Sequence, residues 1–221
     1  MRAGRPYLGG MTNPQDPQLR ELLTPDRSVL LVVDVQNDFC HLDGVFGRAG
    51  VDLGMIHAAV DRILWLVEAT RRARVPVVWI KTHHDRWTNS PMWLTREMRN
   101  TGKGEICATG SWGAEFFRAE PAPDERVVVK HRYSGFFGTS LCVVLGALAR
   151  PTLVACGVTS NVCVETTVRD AFMRDYHVVL AEDCAGAPRK EEHEGAVYNV
   201  RTYFGRVLGS EAIAACWSAT A

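Results

Sequence analysis

Three residues of types that carry out nucleophilic catalysis each follow an apolar stretch of the chain. Asp34 comes directly after one such stretch, Lys130 ends a second, and Cys163 lies in the turn after a third. A neighbouring ammonium favours the thiolate, which is the nucleophilic form of cysteine. A carboxylate can accept the thiol proton and later give a proton to a leaving amine. The three residue types therefore suit a cysteine nucleophile with an acid–base partner.

The cysteine lies in a stretch, residues 153–167, whose hydrophobic pattern changes at Gly157. An apolar run of strand length precedes this glycine, and apolar positions at helical spacing follow it. Asn161 is the predicted N-cap of that helix, which places Cys163 in the first helical turn. Free backbone N–H groups and the positive end of the helix dipole favour an anion there. The pattern thus predicts a lowered pKa for the Cys163 thiol and donors for an oxyanion.

Each of these residues, taken alone, is also typical of a structural role. Cys163 is consistent with a buried core cysteine, Asp34 with a carboxylate at the end of a strand, and Lys130 with a surface lysine. The structural interpretation weakens when the three are taken together. All of them follow apolar strands, and the carboxyl ends of parallel strands share one edge of a sheet.

The elements that must position these residues alternate between strands and helices, which predicts an α/β fold. We expect a three-layer, doubly wound domain whose mostly parallel sheet has about six strands and carries helices on both faces. The predicted strands are 28–33, 76–80, 126–129, the run before Gly157, 177–181 and 206–208. The predicted helices are 52–74, 139–149, the one after Asn161, 190–204 and 211–217.

Composition bounds the possible partners and the domain organisation. Lys and Arg number 25, as do Asp and Glu, so no basic excess favours nucleic acid, and no run approaches the ~18 apolar residues of a membrane span. Residues 1–27 are rich in Pro, Gly and Asn and are predicted to form a flexible N-terminal arm before one domain at 28–221. Seven cysteines without a C-x-x-C pair predict a reducing, cytoplasmic location.

Three stretches resemble a known family. Residues 33–39 (VDVQNDF), 130–137 (KHRYSGFF) and 157–167 (GVTSNVCVETT) are similar to the signature stretches of the isochorismatase-like cysteine hydrolases, in the same order and at matching spacing. The resemblance covers roughly residues 28–208. Within the family, Gly110-Ser111-Trp112 and the 130–137 stretch most resemble ureidoacrylate amidohydrolases, with biuret hydrolases and N-carbamoylsarcosine amidases as near relatives.

The resemblance implies a catalytic triad of Asp34, Lys130 and Cys163. It also implies a non-proline cis peptide between Val158 and Thr159, and an oxyanion hole made by the backbone N–H groups of Thr159 and Cys163. The implied reaction is hydrolysis of a small carboxamide or ureido compound through a cysteine thioester, without a cofactor. The family resemblance further suggests a homodimer or homotetramer.

Residues near the same sheet edge are candidates for binding the substrate. Aromatic rings could wall a small planar compound, although core packing accounts for such rings equally well. A hydroxyl at the end of the second strand and an arginine could orient it. The candidates are Phe39, Trp112, Tyr133, Phe137 and Thr82, with Arg86 or Arg132 for a substrate carboxylate.

Metal binding is not expected. His83, His84 and Asp85 follow the second strand, where the nicotinamidase branch carries an Asp-x-His motif, but adjacent residues of an extended chain point to opposite sides. No third histidine follows nearby, so the sequence predicts no metal. This weakens the nicotinamidase alternative without removing it.

Several other functions stay open or are disfavoured. A nicotinamidase or lactam hydrolase of the same fold and a non-catalytic interaction module both remain alternatives. A vinyl-ether hydrolase resembling isochorismatase itself would lack Cys163. The chain has no G-x-G-x-x-G after its first strand, no phosphate-binding G-x-x-x-x-G-K and no G-x-S-x-G. The long irregular region 81–125 could be a lid or an interface.

Overall fold

A six-stranded parallel sheet forms the centre of the computed structural model, which describes residues 16–95 and 106–218. The strands are β1 (Ser28–Val33), β2 (Val77–Thr82), β3 (Arg126–Lys130), β4 (Thr152–Val158), β5 (His177–Gly186) and β6 (Arg206–Leu208). Their spatial order is β3-β2-β1-β4-β5-β6, and each neighbouring pair is parallel. The order reverses direction between β1 and β4, which makes the carboxyl edge there the expected ligand site.

Helices cover both faces of the sheet and complete the three layers. They are α1 (Pro17–Leu22), α2 (Asn37–Cys40), α3 (Val45–Arg48), α4 (Gly54–Arg72), α5 (Pro91–Thr95), α6 (Leu141–Leu148), α7 (Glu165–Phe172), α8 (Lys190–Asn199) and α9 (Ser210–Ser218). Helices α1, α4 and α9 pack on one face, and α6, α7 and α8 pack on the other. This arrangement confirms the predicted α/β fold. In the described parts of the chain, no helix has the length and apolar character needed to cross a membrane.

Strands β1 and β4 are buried at every position because helices cover both of their faces. Their near-continuous apolar sequences are what this environment requires. Each fully buried Val, Leu or Ile side chain stabilises the fold by roughly 1.5–3 kcal/mol. The two central strands therefore form a rigid base for the residues that follow them.

The described end of the predicted N-terminal arm packs against the domain. Asp16 caps α1 by accepting a hydrogen bond from the Gln18 N–H, and Leu19 and Leu23 are fully buried. These two leucines lie on one helix face because they are four residues apart. The rest of the arm, residues 1–15, lies outside the described residues.

Two predicted helices differ from the observed ones. The single helix predicted over 190–204 is α8 followed by a π-helical turn, Val200–Phe204. The helix predicted to begin after Asn161 instead begins with a π-helical turn, Ser160–Val164, whose N-cap is Thr159. Asn161 therefore lies inside this turn, and its assignment as the N-cap was wrong. The Thr159 carbonyl accepts hydrogen bonds from the N–H groups of Val162 and Val164, which starts the turn earlier than the sequence indicated.

Candidate active site

The register of the sheet brings the ends of β1, β2, β3 and β4 to one edge. Val33 pairs with Gly157, and Thr82 pairs with Lys130. A Cβ atom at Gly157 would lie 2.0 Å from the carbonyl oxygen of Val33, so only glycine allows β4 to approach β1 this closely. Asp34, the next residue, has a φ of 53°, a left-handed conformation that aspartate tolerates better than most residues. Asp34 and the turn carrying Cys163 therefore leave neighbouring strands at the same level.

Asp34, Lys130 and Cys163 meet at this edge. The Lys130 Nζ lies 2.7 Å from Oδ2 of Asp34 and donates a hydrogen bond of 3.4 Å to Sγ of Cys163. The side chains of Lys130 and Asp34 are 1% and 0% exposed, while Cys163 is 7% exposed. The ion pair is thus sealed from water, and Cys163 is the most exposed of the three residues, although it is also buried.

The ammonium of Lys130 has two further partners. It donates to the Thr82 hydroxyl at 2.7 Å and to the backbone carbonyl of Arg132 at 3.1 Å. The Thr82 hydroxyl also lies 3.0 Å from Oδ1 of Asp34. Thr82, a predicted substrate-binding residue, is therefore brought into the cluster by hydrogen bonds to both members of the ion pair.

Burial raises the pKa of the Cys163 thiol to about 12, although the positive charge of Lys130 acts in the opposite direction. The prediction of a lowered pKa was wrong because desolvation of the thiolate outweighs the nearby cation, and the carboxylate of Asp34 also disfavours a second negative charge. Burial by itself lowers the pKa of Lys130, but the charges of Asp34 and Cys163 outweigh it, so this pKa is raised. The resting cluster therefore holds a charged ammonium and a neutral thiol.

The residue before the π-helical turn has the geometry that the resemblance predicted. The peptide bond between Val158 and Thr159 is cis, which confirms that expectation. Thr159 is 8% exposed, and within the described parts of the chain its N–H donates to no backbone carbonyl. This N–H therefore stays a candidate donor for the predicted oxyanion hole.

The predicted aromatic residues are distributed over different environments. Phe39 is 9% exposed and packs edge-to-face on Phe46 in the core. Trp112 is half exposed and contacts His41, and Phe137 is two-thirds exposed. Among the described contacts, none joins these three predicted residues to Asp34, Lys130 or Cys163.

Tyr133 and the two arginines lie in the loops after β2 and β3. The Tyr133 ring packs 5.0 Å from that of Trp93, and the Arg132 guanidinium lies 4.7 Å above the same Trp93 ring. Arg86 lies in the same way over Trp87, at 4.5 Å. Tyr133 directly follows Arg132, whose carbonyl accepts a hydrogen bond from Lys130.

Two buried polar residues that the sequence reasoning did not single out hold the loops around the site. The Gln36 side chain accepts from the Thr82 N–H at 2.7 Å and donates to the carbonyls of Thr82 and Ala114 at 2.9 and 2.8 Å. Asp38 accepts from the N–H groups of Val45 at 3.1 Å and Cys107 at 2.6 Å. The sequence signal that could have found these two residues is the group of polar residues at 34 and 36–38, which comes directly after the fully buried strand β1.

These contacts attach most of region 81–125 firmly to the domain. The N–H of Asn37 donates to the Glu115 carbonyl, and the N–H of Phe117 donates to the Val35 carbonyl. Residues 96–105 lie outside the described residues. The described parts are therefore a packed layer beside the site.

A second hydroxyl connects the turn that carries Cys163 to the loop after β3. Thr167, fully buried in α7, donates to the Cys163 carbonyl at 2.7 Å and accepts from the Gly135 N–H at 3.0 Å. The backbone of Cys163 is thereby fixed relative to the loop that begins at Lys130. Within residues 16–95 and 106–218, no three His, Cys, Asp or Glu side chains gather into a metal-binding group.

Comparison with known proteins places this geometry in context. A family model described as the Isochorismatase domain matches residues 28–212. The ureidoacrylate amidohydrolase RutB of Methylobacterium radiotolerans is 35% identical over 213 residues, which cover 90% of this chain and 82% of that protein. A solved cysteine hydrolase from Pseudomonas syringae pv. phaseolicola is 27% identical with a TM-score of 0.76, covering 90% of this chain and 95% of that one. The N-carbamoylsarcosine amidase of Thermoplasma acidophilum is 28% identical with a TM-score of 0.68, covering 84% and 97%.

Proposed function

The chain belongs to the isochorismatase family of hydrolases, as the three sequence stretches predicted, and we propose that it cleaves the carbon–nitrogen bond of a small ureido or carboxamide compound through a thioester on Cys163. The observation that carries this proposal is the contact of Lys130 with both Asp34 and Cys163 at the switch point of the sheet. The names of the similar ureidoacrylate and N-carbamoylsarcosine enzymes support the substrate class.

The first step is proton transfer from Sγ of Cys163 to Asp34. Because burial raises the pKa of this thiol to about 12, the free thiolate is scarce near pH 7, and a neighbouring base must take the proton as the sulfur attacks. Lys130 stays protonated and stabilises the negative charge on whichever partner carries it. The sulfur then bonds to the substrate's carbonyl carbon, and its oxygen becomes an oxyanion.

The oxyanion is held by the backbone N–H groups of Thr159 and Cys163 in this proposal. As the carbon–nitrogen bond breaks, Asp34 gives its proton to the departing ammonia or amine. The acyl group stays on sulfur as a thioester, or as a thiocarbamate when a ureido compound reacts. Asp34 then takes a proton from water, the hydroxide attacks the carbonyl carbon, and the carbon–sulfur bond breaks as Asp34 returns that proton to Sγ, which restores the thiol and the carboxylate.

The experiment is ammonia release from a panel of ureidoacrylate, biuret, an N-carbamoyl amino acid and nicotinamide, with the ring opening of a lactam followed separately by mass spectrometry. We expect the ureido compounds to give the highest kcat/KM, and Cys163→Ser and Asp34→Asn each to lower it by roughly a thousandfold or more. Acid-quenched enzyme should carry the acyl or carbamoyl mass on the peptide that contains Cys163.

The matched control is Cys142→Ser, since Cys142 is an exposed free cysteine on α6. This variant should keep the native rate. Full activity in the Cys163→Ser protein would overturn the thioester mechanism. A clear preference for nicotinamide would leave the thioester mechanism standing but would contradict the proposed ureido substrate class.

A further inference from the structure

Thr82 lies at the centre of the cluster. Its single hydroxyl proton is already used there, so the hydroxyl cannot also donate a hydrogen bond to a substrate. Its hydroxyl is 2.7 Å from the Lys130 Nζ and 3.0 Å from Oδ1 of Asp34, and the residue is 5% exposed. A hydroxyl has one proton to donate, and an ammonium has only protons. The Thr82 oxygen must therefore accept from Lys130, and its single proton must point to Oδ1 of Asp34.

This arrangement makes the two oxygens of Asp34 different. Oδ1 is capped by the Thr82 hydroxyl. Oδ2 lies 2.7 Å from the Lys130 ammonium, and no hydroxyl or backbone N–H of the described residues donates to it. Oδ2 is therefore the carboxylate oxygen with room for another proton.

We propose that Thr82 is a positioning residue, which caps Oδ1 of Asp34 so that the proton of Cys163 is received at Oδ2. The proposal rests on the proposed function, because it assigns the geometry of the same proton transfer. It replaces the prediction that Thr82 binds the substrate. The hydroxyl acts through Asp34 and Lys130 and does not touch the reacting carbonyl.

The Gln36 side chain holds Thr82 where this role requires it. Its carboxamide pairs with both the N–H and the carbonyl of Thr82, as a neighbouring strand would, and its second amide proton goes to the Ala114 carbonyl. Gln36 is fully buried, so all of its capacity is used inside the protein. The backbone of Thr82 is thus fixed on both sides before its hydroxyl reaches the ion pair.

Two measurable effects follow from removing the hydroxyl. A hydrogen bond to a carboxylate favours its ionised form, so its loss should move the acidic limb of the pH–rate profile to higher pH, by about one pH unit. Loss of the cap should also lower kcat roughly ten- to hundredfold, with KM changed less than about twofold, because orientation and not substrate binding is lost.

The test compares Thr82→Val, which keeps the shape of the side chain, with Thr82→Ser, which keeps the hydroxyl. The serine variant should retain the native acidic limb and a kcat within a few-fold of native. The valine variant should show both effects. If Thr82→Val is insoluble, Thr82→Ala removes the same hydroxyl with a smaller side chain and takes its place.

A second readout needs no substrate. The rate at which iodoacetamide alkylates Cys163, followed on its own peptide by mass spectrometry, also depends on an ionised base. Its acidic limb should shift upward in Thr82→Val and stay in place in Thr82→Ser. The absence of amide turnover in the native protein would count against the proposed function, while this alkylation profile still decides the role of Thr82.

Thr152→Val is the matched control, because Thr152 is fully buried at the opposite end of β4 and its hydroxyl has no partner among the described residues. Its pH profiles should coincide with those of the native protein. Identical acidic limbs in Thr82→Val and the native protein would overturn the proposal. So would an equal shift in Thr152→Val, or a serine variant that behaves like the valine variant.

Discussion

Strand β3 has a carboxylate–cation pair at each end, and the two pairs differ in how fully the carboxylate oxygens are used. Glu125 comes just before the strand and accepts from Nε and Nη2 of Arg71 at 2.8 and 2.9 Å. Trp79 and the Ala122 N–H donate to the same carboxylate at 2.7 and 2.8 Å. At the other end, Lys130 meets Asp34, whose Oδ2 lies 2.7 Å from the ammonium and accepts from no hydroxyl or backbone N–H of the described residues.

The comparison separates a pair that holds the fold from a pair set up for proton transfer. Burial alone raises the pKa of Glu125, but the hydrogen bonds from Arg71, Ala122 and Trp79 outweigh it and keep this pKa below its usual value. A carboxylate saturated in this way resists protonation. The pair of Asp34 and Lys130 is more deeply buried, and one oxygen of its carboxylate has the ammonium as its close partner and no neutral donor, which is costly for stability and useful for chemistry.

The largest stability effect is expected from Lys130→Met, which leaves the fully buried charge of Asp34 without its cation. Breaking a buried pair in this way costs about 3–5 kcal/mol of unfolding free energy. The double variant Asp34→Asn/Lys130→Met removes both charges and should recover most of that loss, while neither protein is active. Urea unfolding of the two variants and the native protein provides the measurement.

Arg71→Met serves as the comparison at the other end of β3. Because 31% of the Arg71 side chain is exposed, water can partly replace the lost cation, and the loss should be smaller than for Lys130→Met. Equal losses in the two single variants would contradict the distinction between the pairs.

The sequence was sufficient for the fold because the central strands are continuous apolar runs and the long helices have a hydrophobic period of their own. Strand β1 was predicted with its observed bounds, and the common carboxyl edge followed from the alternation of strands and helices. The juxtaposition of Asp34, Lys130 and Cys163 was expected on the same grounds. Their catalytic roles, the oligomeric state and the cytoplasmic location stay predictions.

What the sequence could not provide depends on contacts between distant residues. Gln36 reaches Ala114, 78 residues away, and Asp38 reaches Cys107, 69 residues away, and no local period encodes such pairings. The pKa of Cys163 was predicted in the wrong direction for a related reason. A helix start and a lysine are visible in the sequence, whereas the extent of burial that outweighs them depends on the packed structure.

A smaller effect is expected from Glu125→Gln, which keeps the shape of the side chain but removes its charge. The variant keeps one acceptor oxygen for four donors, so its NH2 group faces an N–H donor such as Nε of Arg71 and at least one hydrogen bond is lost. Hydrogen bonds to charged groups contribute about 1.5–3 kcal/mol each when shielded from water. Because Arg71 is partly exposed, we expect a net loss of about 1–2 kcal/mol of unfolding free energy. Activity should stay within about twofold of native, since the transition state needs nothing from this end of the strand. A large loss of kcat in a folded Glu125→Gln protein would show that the two ends of β3 are coupled.

The smallest expected effect is the pH dependence of the difference in unfolding free energy between the native protein and Glu125→Gln. The pKa of Glu125 is lowered in the folded protein, so its ionised form stabilises the fold fully above the ordinary glutamate pKa of about 4.3. That contribution is lost as the pH falls through the lowered pKa. The carboxylate of Glu125 must then be protonated in the folded protein, although the N–H donors around it disfavour the protonated form. The difference in urea midpoint between native and Glu125→Gln should therefore be constant from pH 7 to about pH 5 and shrink below about pH 4. Glu68→Gln, at a carboxylate that is 58% exposed beside the same Arg71, should show little difference at any pH. A native-to-Glu125→Gln difference that grows toward low pH would mean that Glu125 is protonated more easily in the folded protein, which its four hydrogen bonds argue against.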